Sequence, residues 1–228
     1  LTAPLHGYTF GNIIYRYEEI KTFDIGPEVS DYISPGKTSL GSLTTGIARD
    51  TRDSYLYPLK GSLNNLNLET SADFFGSDYD FIKTTAESDF YFNMIGETVF
   101  LIRLRGGTVS TLGRESIPLF EKFYLGGAST IRGYEEGEIA PRSGGKVMGI
   151  LNLEYKIPLT KSKVFISSLF YDIGNSWEKL SDFEDEGLKR GLGTSLDYNS
   201  RFGKMSLIYG YGIDKQKNEI YFNIGNNF

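Results

Sequence analysis

The chain has 228 residues and a formal net charge of −5; 39% of it is apolar, 14% is aromatic, and it contains no cysteine. The acidic balance argues against a nucleic-acid partner, because phosphate recognition needs a basic face. The missing cysteines exclude disulfides, thiolate zinc sites and cysteine nucleophiles, and no run approaches the ~18 consecutive apolar residues of a transmembrane helix. What the composition favours, with 16 Tyr, 16 Phe and 27 Gly, is strands, tight turns and tyrosines belting a membrane interface.

Taken in chain order, period-two alternation predicts about ten strands, near residues 10–20, 41–52, 62–72, 80–94, 97–109, 146–158, 163–173, 188–199, 203–213 and 218–228. Residues before the first of these, with His6, read as a flexible leader. In the first strand Arg16 and Glu18 oppose Ile13, Tyr15 and Tyr17. In the third, Asn65, Asn67 and Glu69 oppose Leu66 and Leu68. Lys83, Glu87 and Asp89 alternate with Ile82, Ala86 and Phe90; Arg103 and Arg105 alternate with Phe100, Ile102 and Leu104. The clearest case places Leu151, Leu153, Tyr155 and Ile157 on one face and Asn152, Glu154 and Lys156 on the other.

Short connections fall at 57–61, 95–96, 159–162, 200–202 and 214–217, and longer ones at 21–40, 110–145 and 174–187, with an intermediate hairpin at 73–79. Alternation of tight turns with long loops is the pattern of an outer-membrane barrel. A soluble β-sandwich or lipocalin-like barrel has the same period, and the pattern alone does not say which face meets lipid. The mid-strand charges suit a wide barrel, where they pair across a wet lumen. The fold class expected is therefore all-β, an antiparallel transmembrane β-barrel.

The most specific segment lies in the long connection at 110–145. Phe120-Glu121-Lys122-Phe123-Tyr124-Leu125-Gly126-Gly127 is followed by Ile131-Arg132-Gly133-Tyr134. This run resembles the Omp85 superfamily, which includes BamA-like assembly factors, bacterial surface antigens and two-partner secretion transporters. That family carries Phe-x-x-Phe-x-x-Gly-Gly, then [Val/Ile]-Arg-Gly-[Phe/Tyr], in its sixth outer loop. The resemblance implies that the loop folds back into the lumen, with Arg132 meeting the acidic partners Glu154 and Asp172 on the two following strands. A planar guanidinium fork matches a carboxylate, and a partly dry lumen strengthens the pair. Gly126, Gly127 and Gly133 would let the loop turn tightly beside the wall.

Two further stretches resemble the same family. Arg49-Asp50-Thr51-Arg52-Asp53, with Pro58 and Gly61, matches a periplasmic turn. At the end of the chain Ile220, Phe222, Ile224 and Phe228 share one strand face, opposite Tyr221, Asn223, Gly225 and Asn227. That is the pattern of the outer-membrane β-signal, which assembly machinery reads by edge pairing.

Aligned from the loop, the ten segments correspond to strands seven to sixteen of a family barrel. Residues 1–228 are thus expected to be its C-terminal portion, with periplasmic POTRA domains absent from this chain. The resemblance implies an integral protein of the bacterial outer membrane that inserts other proteins, templating their strands at a barrel seam. The alternative is a translocation pore, for two-partner secretion or for an upstream patatin-like passenger. A soluble β-sheet binding protein is a third class. The expected partners are outer-membrane lipid and nascent outer-membrane or secreted proteins, with periplasmic chaperones or accessory lipoproteins.

No enzymatic activity, cofactor or metal is expected. His6 is the sole histidine, so a Ser-His-Asp triad or a histidine metal cluster has no basis. The acidic run from Asp182 to Glu186 reads as a solvated loop, and Trp177 beside it as an interfacial anchor.

Overall fold

A computed structural model describes residues 1–23, 36–113, 116–183, 187–200 and 203–225. The described residues form one antiparallel sheet of eleven strands. They are β1 (Thr2–His6), β2 (Thr9–Thr22), β3 (Gly36–Asp50), β4 (Gly61–Ser71), β5 (Phe81–Asn93), β6 (Val99–Thr111), β7 (Val147–Pro158), β8 (Phe165–Trp177), β9 (Lys189–Ser200), β10 (Gly203–Gly212) and β11 (Lys217–Ile224). Each strand pairs with its neighbours in sequence, so the sheet is a plain meander from β1 to β11. Three short 3-10 turns are the helical elements among the described residues.

The period-two code sorts the two faces. Leu104, Leu169, Leu196, Leu207, Ile220 and Phe222 lie on one face and are exposed. The register lines up Leu196, Leu207 and Phe222 across β9, β10 and β11, which gives a continuous apolar band. The other face carries mid-strand charges, and several of them are paired. Arg103 makes a two-pronged contact with Asp89 at 2.7 and 2.6 Å, and Lys204 reaches Asp197 at 2.9 Å. Greasy outside and ion-paired inside is the distribution of a membrane barrel wall, since a soluble sheet would bury its apolar face.

Three features depart from the sequence reading. The segment taken as a leader is strand β1, held by pairing of Thr2, Ala3 and Pro4 with Asn12, Gly11 and Phe10. Pro4 and the absence of alternation hide it, because proline has no N–H to give a ladder and argues against a strand. Strand β8 runs on to Trp177, which is 8% exposed and packs against Phe183 at 5.2 Å between ring centroids; it is a covered strand residue, not a loop anchor. The alternation of short and long links is also imperfect. The tight turn at residues 213–216 lies at the same end as the longest loop, while the β3–β4 link at residues 51–60 is long for the opposite end. In that link Arg52 grips Asp50 at 2.9 and 2.8 Å, and the Asp53 carboxylate accepts the Leu59 N–H at 2.9 Å.

Of the acidic run, Asp182 is described and residues 184–186 lie outside the described residues, as does Phe228 of the terminal pattern.

The sheet cannot be flat. Residues Glu121 to Gly133 of one connection touch the inner face from β2 to β11. Nine strand spacings of about 4.8 Å amount to roughly 43 Å, which this segment could span only if fully extended. It is not extended: Gly126 and Gly127 have φ of +110° and +80°, and the Gly127 N–H donates back to the Tyr134 carbonyl at 2.8 Å. The strands therefore curl around the loop.

Candidate functional site

The site lies in the β6–β7 connection, whose residues 116–146 fold against the inner face. It builds a small body of its own before it meets the wall. Phe123 and Gly145 exchange backbone hydrogen bonds, as do Leu125 and Ile139. Leu125, Ile131, Tyr134 and Ile139 form a buried cluster with Ile150 of β7. The Thr130 hydroxyl accepts the Gly126 N–H at 2.7 Å and donates to the Gly126 carbonyl. That bracket closes the turn at which the glycines reverse the chain.

Arg132 projects from this body onto three side chains of β7 and β8, Glu154, Phe170 and Asp172. Its Nε and Nη2 donate to the two oxygens of Asp172, both at 2.7 Å, and its Nη1 donates to Glu154 at 2.5 Å. The Arg132 backbone N–H also donates to Asp172, at 3.0 Å. Beneath the guanidinium lies the Phe170 ring, 3.6 Å from centroid to Cζ. Asn152 donates to the Thr130 carbonyl at 2.7 Å and to Asp172 at 2.8 Å. Register explains the constellation: Asn152 is directly opposite Asp172, and Glu154 directly opposite Phe170. One square of inward positions thus supplies an amide, two carboxylates and an aromatic face, all of which suit a guanidinium. Asp172 is fully buried, at 0% exposure. Burial alone would lower the Arg132 pKa, but Glu154 and Asp172 outweigh it and hold the group above its ordinary value.

The next square along the wall is bare. Phe170 is opposite Gly193, Gly193 opposite Gly210, Asp172 opposite Gly191 and Gly191 opposite Gly212. Four glycines thus form a floor on β9 and β10; the loop backbone lies directly on Gly191, Gly210 and Gly212, and the Phe170 ring on Gly193. A Cβ at Gly191 would sit 1.8 Å from the Arg132 carbonyl oxygen, one at Gly210 2.6 Å from Gly133 N, and one at Gly212 2.5 Å from Gly133 O. Gly133 itself has φ of +97°, and its own Cβ would meet Gly212 N at 2.4 Å. Close backbone approach is the reason for glycine at both partners.

Beyond the floor, the Tyr134 hydroxyl donates toward the Arg190 carbonyl at 3.2 Å and Asp214 at 3.1 Å. Burial, then Asp214, pushes this phenol up to about 12, so it remains a donor across the physiological range. The Tyr221 hydroxyl of β11 accepts the Gly133 N–H at 2.9 Å and donates to the Tyr134 carbonyl at 2.7 Å.

A second latch holds the front of the loop. Glu121 is 3% exposed and accepts from Arg16 of β2 at 2.7 Å and Lys83 of β5 at 3.0 Å. Arg16 also reaches Glu69 of β4 at 2.5 Å. The structure thus brings Gly126, Gly127, Ile131, Arg132, Gly133 and Tyr134 together with Glu154 and Asp172. It places Ile220, Phe222 and Ile224 elsewhere, on the outer face of β11, at 71%, 64% and 68% exposure. Phe170, Asn152, the glycine floor, Tyr221 and the Glu121 latch escaped the sequence reading. Gly-x-Gly at 191–193 and 210–212 inside alternating strands was the available signal for the floor.

Comparison with known proteins agrees with this architecture. A relative from Nitratidesulfovibrio vulgaris, "Outer membrane protein assembly factor BamA", is 31% identical over 223 residues, covering 93% of this chain and 28% of its own. The human "Sorting and assembly machinery component 50 homolog" is 32% identical over 114 residues, half of this chain and 24% of that protein. The chain therefore spans less than a third of the relatives it matches. Among solved structures, BamA from Haemophilus ducreyi lacking POTRA domains 1–3 superimposes with a TM-score of 0.74 at 18% identity, over 94% of this chain and 50% of that one. The Omp85 superfamily domain matches residues 2–228, and with its lipid-facing apolar band, its ion-paired inner wall and its inward-folded loop the chain belongs to the Omp85 superfamily of outer-membrane β-barrels.

Proposed function

We propose that this chain is the C-terminal barrel portion of a BamA-type assembly factor, which inserts nascent β-barrel proteins into the outer membrane. It does so by edge pairing and not by bond chemistry. The observation that carries this reading is the position of the latched loop. Arg132 and its neighbours rest on the inner wall, and the residues that follow Arg132 bond Tyr221 of β11. A seam strand offers backbone donors and acceptors to an incoming strand, and a loop bolted to β11 fixes the position of that strand. The assembly names carried by the bacterial and human relatives favour insertion over a secretion pore. Client strands, outer-membrane lipid and periplasmic chaperones or accessory lipoproteins are the partners of this function.

Depletion and complementation in cells test it. Arg132→Ala removes the cation from a buried carboxylate, a change that costs about 3–5 kcal/mol for a buried pair. The variant is expected to keep its strand content, to lose the heat-modifiable compact form on gels, and to support little growth and client insertion. Full complementation with normal client levels would overturn the role of the latch. Normal client levels on depletion of the protein itself would overturn the assembly function.

A further inference from the structure

We propose that Tyr221 is a positioning residue that couples the seating of the lumenal loop to the last strand, so that β11 separates from β10 more readily when the loop is unseated. The proposal rests on the assembly reading only for its biological consequence. Strand β11 is held by β10 along one edge. Tyr221 is the inward β11 side chain that bonds the loop backbone among the described residues, through Gly133 N–H at 2.9 Å and the Tyr134 carbonyl at 2.7 Å. These two groups immediately follow Arg132, whose own backbone and side chain are fixed by Asp172. One phenol thus joins β11 to a segment anchored on β7 and β8.

Two equilibria that share a contact are linked, and linkage is reciprocal. Seating the loop aligns the Gly133 donor and the Tyr134 acceptor and so holds β11. Peeling β11 from β10 breaks both bonds and weakens the seat. The coupling is specific to the Tyr221 hydroxyl. Tyr209 supplies a control on the same strand pair: its hydroxyl bonds Asn218 across β10 and β11 at 2.7 Å, on the outer face, away from the loop.

The test is a double-mutant cycle read by amide hydrogen exchange on the native full-length protein in lipid. Tyr221→Phe keeps the ring and removes the hydroxyl. It is expected to speed exchange of the β10–β11 ladder amides by about five- to tenfold, the loss of one or two hydrogen bonds, with β7 and β8 unchanged. Arg132→Ala, which unseats the loop, is expected to speed the same amides; Tyr221→Phe then adds nothing further. Tyr209→Phe is expected to speed exchange equally with and without Arg132→Ala. Unchanged β11 exchange in Tyr221→Phe, or additive effects of Tyr221→Phe and Arg132→Ala, would overturn the proposal. Should Arg132→Ala fail to fold, Gly133→Ala, which also unseats the loop, replaces it in the cycle. Client insertion is scored separately, so a failure of the assembly function leaves the exchange result standing.

Discussion

At the scale of single residues, the site is a set of long-range charge and backbone contacts on one long loop. Arg132, Glu154 and Asp172 were legible through the family resemblance of a fifteen-residue run, which implied an arginine and two acidic partners; alternation by itself put only Glu154 on a polar face. Phe170 and Asn152 were not, since a pattern that calls for charge says nothing about the aromatic floor and the amide beside it. Glu121 lay inside the same run yet read as a spacer. Its partners Arg16 and Lys83 are distant in sequence, and only the curl of the sheet brings them to it. Glu121→Gln keeps the shape and removes the charge beside two cations, of which Arg16 retains Glu69. The expected loss is about 1–3 kcal/mol, the range for a hydrogen-bonded buried charge. It is to be measured as a lower urea midpoint for unfolding from lipid; a midpoint within error of the parent would show that Arg16 and Lys83 are served equally well by other groups.

At the scale of elements, alternation fixed most strands to within a few residues, because each one faces lipid on one side and charge on the other. It failed where that contrast fades. Strand β1 is exposed on both faces and contains Pro4. The end of β8 carries Asn175 and Ser176 before Trp177, so it looked like loop. The glycine floor on β9 and β10 reads as weak strand in any propensity argument, since glycine loses more backbone freedom than other residues. Its meaning appears only with the loop in place. Gly191→Ala is therefore expected to behave as a loop mutation in the guise of a strand mutation. The new Cβ would lie 1.8 Å from the Arg132 carbonyl oxygen, which the backbone cannot absorb in place. Limited proteolysis should then cut within residues 126–145 while circular dichroism keeps the parent strand signal. Continued protection of that segment would mean that the floor has room to spare.

At the scale of the whole molecule, the inner and outer faces obey opposite rules. Leu207 lies mid-strand on the outer face of β10, between Leu196 and Phe222. A cation there meets hydrocarbon, so Leu207→Arg is expected to destabilise by roughly 2–4 kcal/mol, the cost near a bilayer midplane. Folding into lipid, followed by urea titration, measures it; a neutral result would mean that this face is wet and would remove the membrane assignment of β10.

The span of the loop from Arg16 on β2 to Tyr221 on β11 has a consequence for the order of events in biogenesis. Contacts between positions so far apart in sequence form late, after the chain entropy between them has been lost. The plug cannot settle on all the supports seen here until the β10–β11 hairpin has arrived. Its settling therefore works as a clasp across strands already in place, and a chain stalled before β11 would leave that clasp undone and open to quality-control proteases.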